Sequence, residues 1–292
     1  MRSAKTRLTT GVALSLMTAF GADFSGASAF EFTRRAVAFG PRPPGSAANL
    51  RLQAYIEAQL KQRQCESSVD PFTAATPNGA VRMANIIARF PGRSGKAIVI
   101  TGHFDTKSMP GRTFVGANDG GSSTGLLLEL ARVLSGAPRI DTVYLVWLDG
   151  EEAYGQWSAT DSLYGSRHLA EKWAKDGTLS RVKALINVDM IGDKDLGILQ
   201  EMNSSPPLRN LVWKTAQDLG YGKYFLDAGM ATEDDHMPFL ARGVNALDLI
   251  DFDYGPNNAY WHTEKDTLDK LSAHSLEVVG AVVSAVIVRL EK

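Results

Sequence analysis

The chain has 292 residues, 44% hydrophobic and 22% charged, with 31 Lys and Arg against 32 Asp and Glu. That near balance argues against nucleic acid or an anionic membrane surface as partner, and the length suits one large domain with a substantial core. Cys65 is the single cysteine, so no internal disulfide is available and stability must come from the core.

The first residues have the layout of an export signal: basic Arg2, Lys5 and Arg7, an apolar stretch from Gly11 to Ala22, then Ala27-Ser28-Ala29 as a small-residue cleavage pattern. The apolar stretch is too short to span a bilayer, and no later segment reads as a membrane span. The expectation is an exported monomer, periplasmic or secreted, with a signal peptide over 1–29 and one domain over 30–292. Ser46 caps a predicted helix to Gln62, with Leu50, Tyr55, Ile56 and Leu60 near helical spacing. Strands follow at Val81–Phe90 and Ala97–Thr101, then a polar, glycine-rich loop and a helix at Ser123–Leu134. The alternation continues with strand Thr142–Leu148, helix Gly165–Lys175, strand Ala184–Val188, helix Pro207–Leu219, strand Ala246–Ile250 and helix Ser272–Arg289. Alternating strands and helices, several strands being pure apolar runs, predict an α/β fold: a single-domain α/β/α sandwich around a mostly parallel mixed sheet.

In such sheets ligands bind beyond the carboxyl ends of the strands. Those ends carry His103 and Asp105, then Asp149, Glu151 and Glu152, then Asp189; Asp119 precedes a helix and His262 lies in the loop before the last one. Glu151 and Glu152 are adjacent like charges at the end of an apolar strand, an arrangement that calls for a cation. Two imidazoles with several carboxylates suit zinc. Adjacent residues leaving a strand point to different sides, so Glu152 can bind the ion while Glu151 stays free as a proton acceptor.

The blocks "GHFDTK", "VGANDGG", "LDGEEAYGQWSATDSLYGSRHLA", "NVDMIGD", "TEDDHMPFL" and "YWHTEKDTLDKL" resemble, in order, those of the M28 zinc peptidase clan, most closely its glutaminyl-peptide cyclotransferase branch. The resemblance covers nearly all of residues 30–292. It implies Asp119, Glu152 and His262 as ligands of one zinc and Glu151 as general acid and base. Asp189 and Asp234 would form a hydrogen-bonded carboxyl pair holding the substrate amide, and Trp157, Trp261 and Glu233 would bind the substrate, a peptide or protein with N-terminal Gln. Asp105 would orient the site from behind; His236 is read either as a support for the site or as a packing residue. Asp161 and Arg167 either brace the Trp157 loop or are ordinary surface charges.

Some features depart from the animal members. Gly102 and Thr124 stand where those carry a disulfide, "NDGGSSTG" is closer to an aminopeptidase, and the loop "DFDYGPNNAYWHT" is longer, leaving its pocket aromatic unassigned. A second chemistry therefore stays open: a di-zinc aminopeptidase in which His103 and Asp189 hold a second zinc and Asp119 bridges the two. A third reading is a binding module that kept the fold without the chemistry.

Overall fold

The structure, a computed structural model, describes residues 23–292. Residues 1–22, which hold most of the expected export signal, lie outside the described residues. In chain order the elements are α1 (Gly26–Val37), α2 (Ala47–Leu60), β1 (Glu66–Thr76), β2 (Gly79–Phe90), β3 (Ala97–His103), α3 (Gly121–Leu134), β4 (Thr142–Leu148), α4 (Tyr164–Lys175), β5 (Val182–Asp189), β6 (Ile198–Glu201), α5 (Pro206–Asp218), β7 (Phe225–Met230), α6 (Met237–Leu240), β8 (Ala246–Ile250) and α7 (Ala273–Leu290).

Six strands form one sheet in the order β1-β2-β4-β3-β5-β8. The pairs β4–β3, β3–β5 and β5–β8 are parallel, and β1–β2 and β2–β4 antiparallel. Strand alternation sends Ile98 and Ile100 to one face with α1, α2, α3, α5 and α7, and Val99 to the other with α4 and α6. Both faces are thus covered, which is why the central strands read as unbroken apolar runs. The expected sandwich is present, with β6 and β7 as a separate parallel ribbon.

Helix starts follow local chemistry. The Ser46 hydroxyl accepts the Asn49 N–H at the head of α2, and the Ser272 hydroxyl accepts that of Ser275 at the head of α7. Leu52, Ile56 and Leu60 make the buried stripe of α2, whereas Leu50, one of the residues near helical spacing, is 57% exposed. The core side of α2 also carries Asn49 and Gln53, two polar residues that blur the apolar period. β1 escaped the sequence reading because it is an edge strand with only Asp70 and Ala74 buried.

One expectation needs correction. Helix α7 is long and apolar enough to cross a membrane by length and composition, so a later segment of spanning length does exist. Val278, Val279, Val282, Val283 and Val286 are nevertheless wholly buried against the sheet and its helices. The expected boundary after Ala29 falls within α1, whose first turn is capped by Ser25.

Candidate active site

The four parallel strands deliver the polar residues to one edge. β3 ends at His103 and β5 at Asp189, the turn after β4 carries Glu151 and Glu152, and the chain leaving β8 returns as the loop bearing His262. Asp119 sits just before α3, in a turn closed by Gly120 at φ 75°. A side chain at Gly120 would crowd the His103 ring, 3.1 Å away, and the Asp105 carbonyl, so the turn can approach β3 only with glycine there.

The resulting row is continuous. His103 Nε2 lies 3.0 Å from Asp189 Oδ1 and 3.2 Å from Asp119 Oδ1; His262 Nε2 lies 3.3 Å from Asp119 Oδ2 and 3.0 Å from Glu152 Oε1. Two groups could each surround a cation with ligand atoms within 4.8 Å of one another: Asp119, Glu152 and His262, and His103, Asp119 and Asp189. The residues fit a metal on chemical grounds. Asp119 is buried between the two imidazoles, and burial opposes charge on His262, yet its hydrogen bonds to Asp119 and Glu152 raise its pKa to about 10. The pocket of carboxylates draws positive charge toward itself. Zinc, which takes imidazole and carboxylate donors, answers that demand.

His262 has φ 51°, a left-handed conformation that costs a non-glycine residue about 1–3 kcal/mol. Trp261 stacks on its ring at 4.1 Å and Phe114 meets it edge-on at 5.8 Å. The aromatic sandwich holds the imidazole at the carboxylates.

Asp105 is fully buried and accepts the backbone N–H groups of Glu151 at 3.2 Å and Glu152 at 3.4 Å. It therefore fixes the turn that splits the two glutamates. Glu152 faces His262 and Asp119. Glu151 lines the cavity beside them, where burial pushes its carboxyl well above the usual range; Glu152, Asp234 and Asp235 add to that, against the pull of His103.

The cavity, about 500 Å³, is lined by Glu151, Asp189 and Asp234 and walled by Trp157, Phe252 and Trp261. Trp157 donates its indole N–H to Glu233 at 3.1 Å, so the two expected substrate residues brace each other. One expectation differs in detail. Among the described residues no hydrogen bond joins Asp189 to Asp234: Asp189 is engaged by His103, and Asp234 accepts from Asn187 at 3.0 Å. They remain electrostatic neighbours, since burial and then Asp189 raise the Asp234 pKa to about 6.

Residues 85–287 match the model of peptidase family M28. The chain belongs to that family. Within M28 it is 34% identical over 274 residues to the glutaminyl-peptide cyclotransferase-like protein of Mus musculus, covering 82% of this chain and 70% of the relative, which places it on the glutaminyl-peptide cyclotransferase branch. A crystal structure of an Acidobacteriales bacterium glutaminyl cyclase superposes with a TM-score of 0.90 at 42% identity, over 99% of both chains. A Zn-dependent exopeptidase from Parabacteroides distasonis is also similar, with a TM-score of 0.81 at 29% identity over 91% of this chain and 98% of that one.

This M28 chain uses residues that the sequence reading missed. Asp266 accepts the N–H groups of Asn118 and Asp119 and the Tyr254 hydroxyl, at 2.8, 3.1 and 2.7 Å, and so sets the Asp119 turn. It lies in the quoted block "YWHTEKDTLDKL", four residues after His262, and that block was the only signal. Phe252 is the wall aromatic that the long loop left unassigned. Lys107 reaches Glu152 Oε2 at 3.4 Å and lines the cavity. His236 is wholly buried, 3.3 Å from Glu201, and supports the Thr232 loop through that carboxylate without touching the cavity. Asp161 takes the N–H groups of Tyr154 and Gly155 and the Tyr164 hydroxyl, and Arg167 bonds the Ala159 carbonyl, so both brace the Trp157 loop.

Proposed function

We propose that this M28 chain is a zinc-dependent glutaminyl-peptide cyclotransferase, exported from the cell, that converts N-terminal Gln of peptides and proteins to pyroglutamate and releases ammonia. The observation that carries the reading is the cavity itself. A small chamber walled by three aromatic rings ends on Glu151, Asp189 and Asp234 beside the Asp119, Glu152 and His262 cluster.

One zinc would be held by Asp119, Glu152 and His262, where it would act as a Lewis acid on the substrate's γ-carbonyl. The remaining work belongs to side chains. Glu151 takes a proton from the α-amine as that nitrogen attacks the side-chain carbonyl carbon (Cδ), and returns it to the departing amide nitrogen as the five-membered lactam closes. The sum is a glutaminyl terminus converted to a lactam and one ammonia, with no water consumed. Asp234, aimed by Asn187, and Asp189 line the same end of the cavity and hold the side-chain amide N–H groups. Close carboxylates of this kind do not both ionise cheaply, so a proton shared between them accompanies binding. Trp157, Phe252 and Trp261 exclude water, which would otherwise hydrolyse the amide to glutamate.

One observation favours a second reading. His103, Asp119 and Asp189 also converge closely enough for a cation, the arrangement a di-zinc aminopeptidase needs. The two readings part at Asp189, which faces either a second metal or the substrate amide. Mass spectrometry on a Gln-initiated and a Leu-initiated peptide separates them. Ammonia loss from the first with the second untouched is expected; release of a free N-terminal residue from either peptide would replace the cyclase reading with the aminopeptidase.

A further inference from the structure

We propose that the export signal of this chain is removed by hydrolysis of the Gly21–Ala22 peptide bond, so that the mature protein begins at Ala22 and keeps residues 22–29. The host's export peptidase adds water across that bond, leaving a carboxylate on Gly21 and an amine on Ala22. The inference takes the basic and apolar N-terminal residues as an export signal and is independent of the reaction catalysed.

The alanine pattern at Ala27 and Ala29 points to a cut that the folded protein argues against. Ser25 caps α1, its hydroxyl accepting the Ser28 N–H at 3.2 Å. Its own N–H reaches Glu129 Oε1 on α3 at 2.8 Å, and the Ser28 hydroxyl reaches Glu129 Oε2 at 2.6 Å. Glu129 is wholly buried. Arg132 grips the same carboxylate at 2.9 and 2.6 Å and also holds the Asp23 carbonyl at 2.6 Å. A cut after Ala29 removes Asp23, Ser25 and Ser28 together. The buried carboxylate is then left with Arg132 as its single remaining partner among these, and α1 loses its cap and first turn.

Three glycines on three helices are fitted to the same segment. A side chain at Gly26 would overlap the backbone of α7 at Ala273 and Glu277; one at Gly280 of α7 would overlap the Phe24 ring; and one at Gly125 of α3 would overlap the Ala29 carbonyl and Thr33. The contact surfaces of α3 and α7 are therefore cut back to receive residues 24–29. Ala29 is wholly buried in that seam, so its small size has a packing cause and need not mark a cleavage site. The sequence offers another small pair at the required spacing, Ala19 and Gly21, at the end of the apolar stretch.

The test expresses the full chain in a bacterial host and measures the intact mass and N-terminal sequence of the exported protein. A start at Ala22 is expected; a start at Phe30, or export without cleavage, overturns the proposal. Two variants sharpen it. Gly21→Tyr should accumulate uncut precursor, whereas Ala27→Leu, at an exposed position of α1, should be cut as before; the reverse pattern overturns it. Chains begun directly at residue 22 and at residue 30 should differ in thermal midpoint by roughly 5 °C or more, the shorter being less stable. Equal midpoints would remove the structural reason for the later start.

Discussion

Glu151 and Glu152 are neighbours in sequence with divided duties, and the division is testable. Glu151→Gln should retain zinc and lower kcat by about 10²–10⁴-fold, since the proton carrier alone is lost; kcat and metal content measured on one sample check this, and unchanged kcat would sink the assignment. Asn187 is a subtler case. Its carbonyl accepts the Thr101 hydroxyl at 2.8 Å, which leaves both amide hydrogens for Asp234 at 3.0 Å and Asp248 at 3.1 Å. Asn187→Ala frees Asp234 to turn away, so kcat should fall by about tenfold or more with zinc retained and KM raised less. An unchanged kcat would show that Asp234 needs no such aim. His103, Glu151, Glu152 and Asp189 were legible in the sequence because each stands at or just beyond the end of an apolar run. Asn187, Asp266 and Phe252 were not, because their roles depend on partners brought close only by the fold, 47 and 61 residues away in the case of Asn187.

At the scale of elements, the central strands and their helices were readable because each is buried in a regular period. β1 and α1 were not: β1 is an edge strand with few buried positions, and α1 hides its packing in small residues. Gly125 lets α1 and α3 touch at backbone distance. Gly125→Leu should therefore destabilise the fold by about 1–3 kcal/mol or more through overpacking, with the midpoint of denaturant unfolding as the readout; a wild-type midpoint would mean that the seam can open without loss. The pair formed by β6 and β7 gains its order from Glu201 at the end of β6, which accepts the N–H groups of Asn203, Ser204 and Thr232 and the Ser204 hydroxyl. Burial would raise its pKa, but His236, Ser204 and these N–H groups hold it down to about 2. A lowered carboxyl stabilises the fold above its unfolded value near 4.5 and loses that contribution as pH falls toward 2. The stability gap between wild type and Glu201→Gln should therefore be larger at pH 7 than at pH 3; an equal gap would contradict the assignment.

For the molecule as a whole, a mixed sheet covered on both faces brings residues from four strand ends and two distant loops to one chamber. The fold class followed from strand and helix periodicity. Family membership followed from motifs that lie at those strand ends, for the physical reason that metal donors must sit where backbone and loops are held rigid. Helix α1 did not follow, because a helix start rich in Ser, Gly and Ala has the same composition as a cleavage site. The central claim is that the chamber closes a ring without water. Turnover of a Gln-initiated peptide in heavy-oxygen water, followed by mass spectrometry of all products, tests it most directly. The account predicts a product lighter by one ammonia and carrying no heavy oxygen; label in a released N-terminal residue, or in a glutamate side chain, would contradict it.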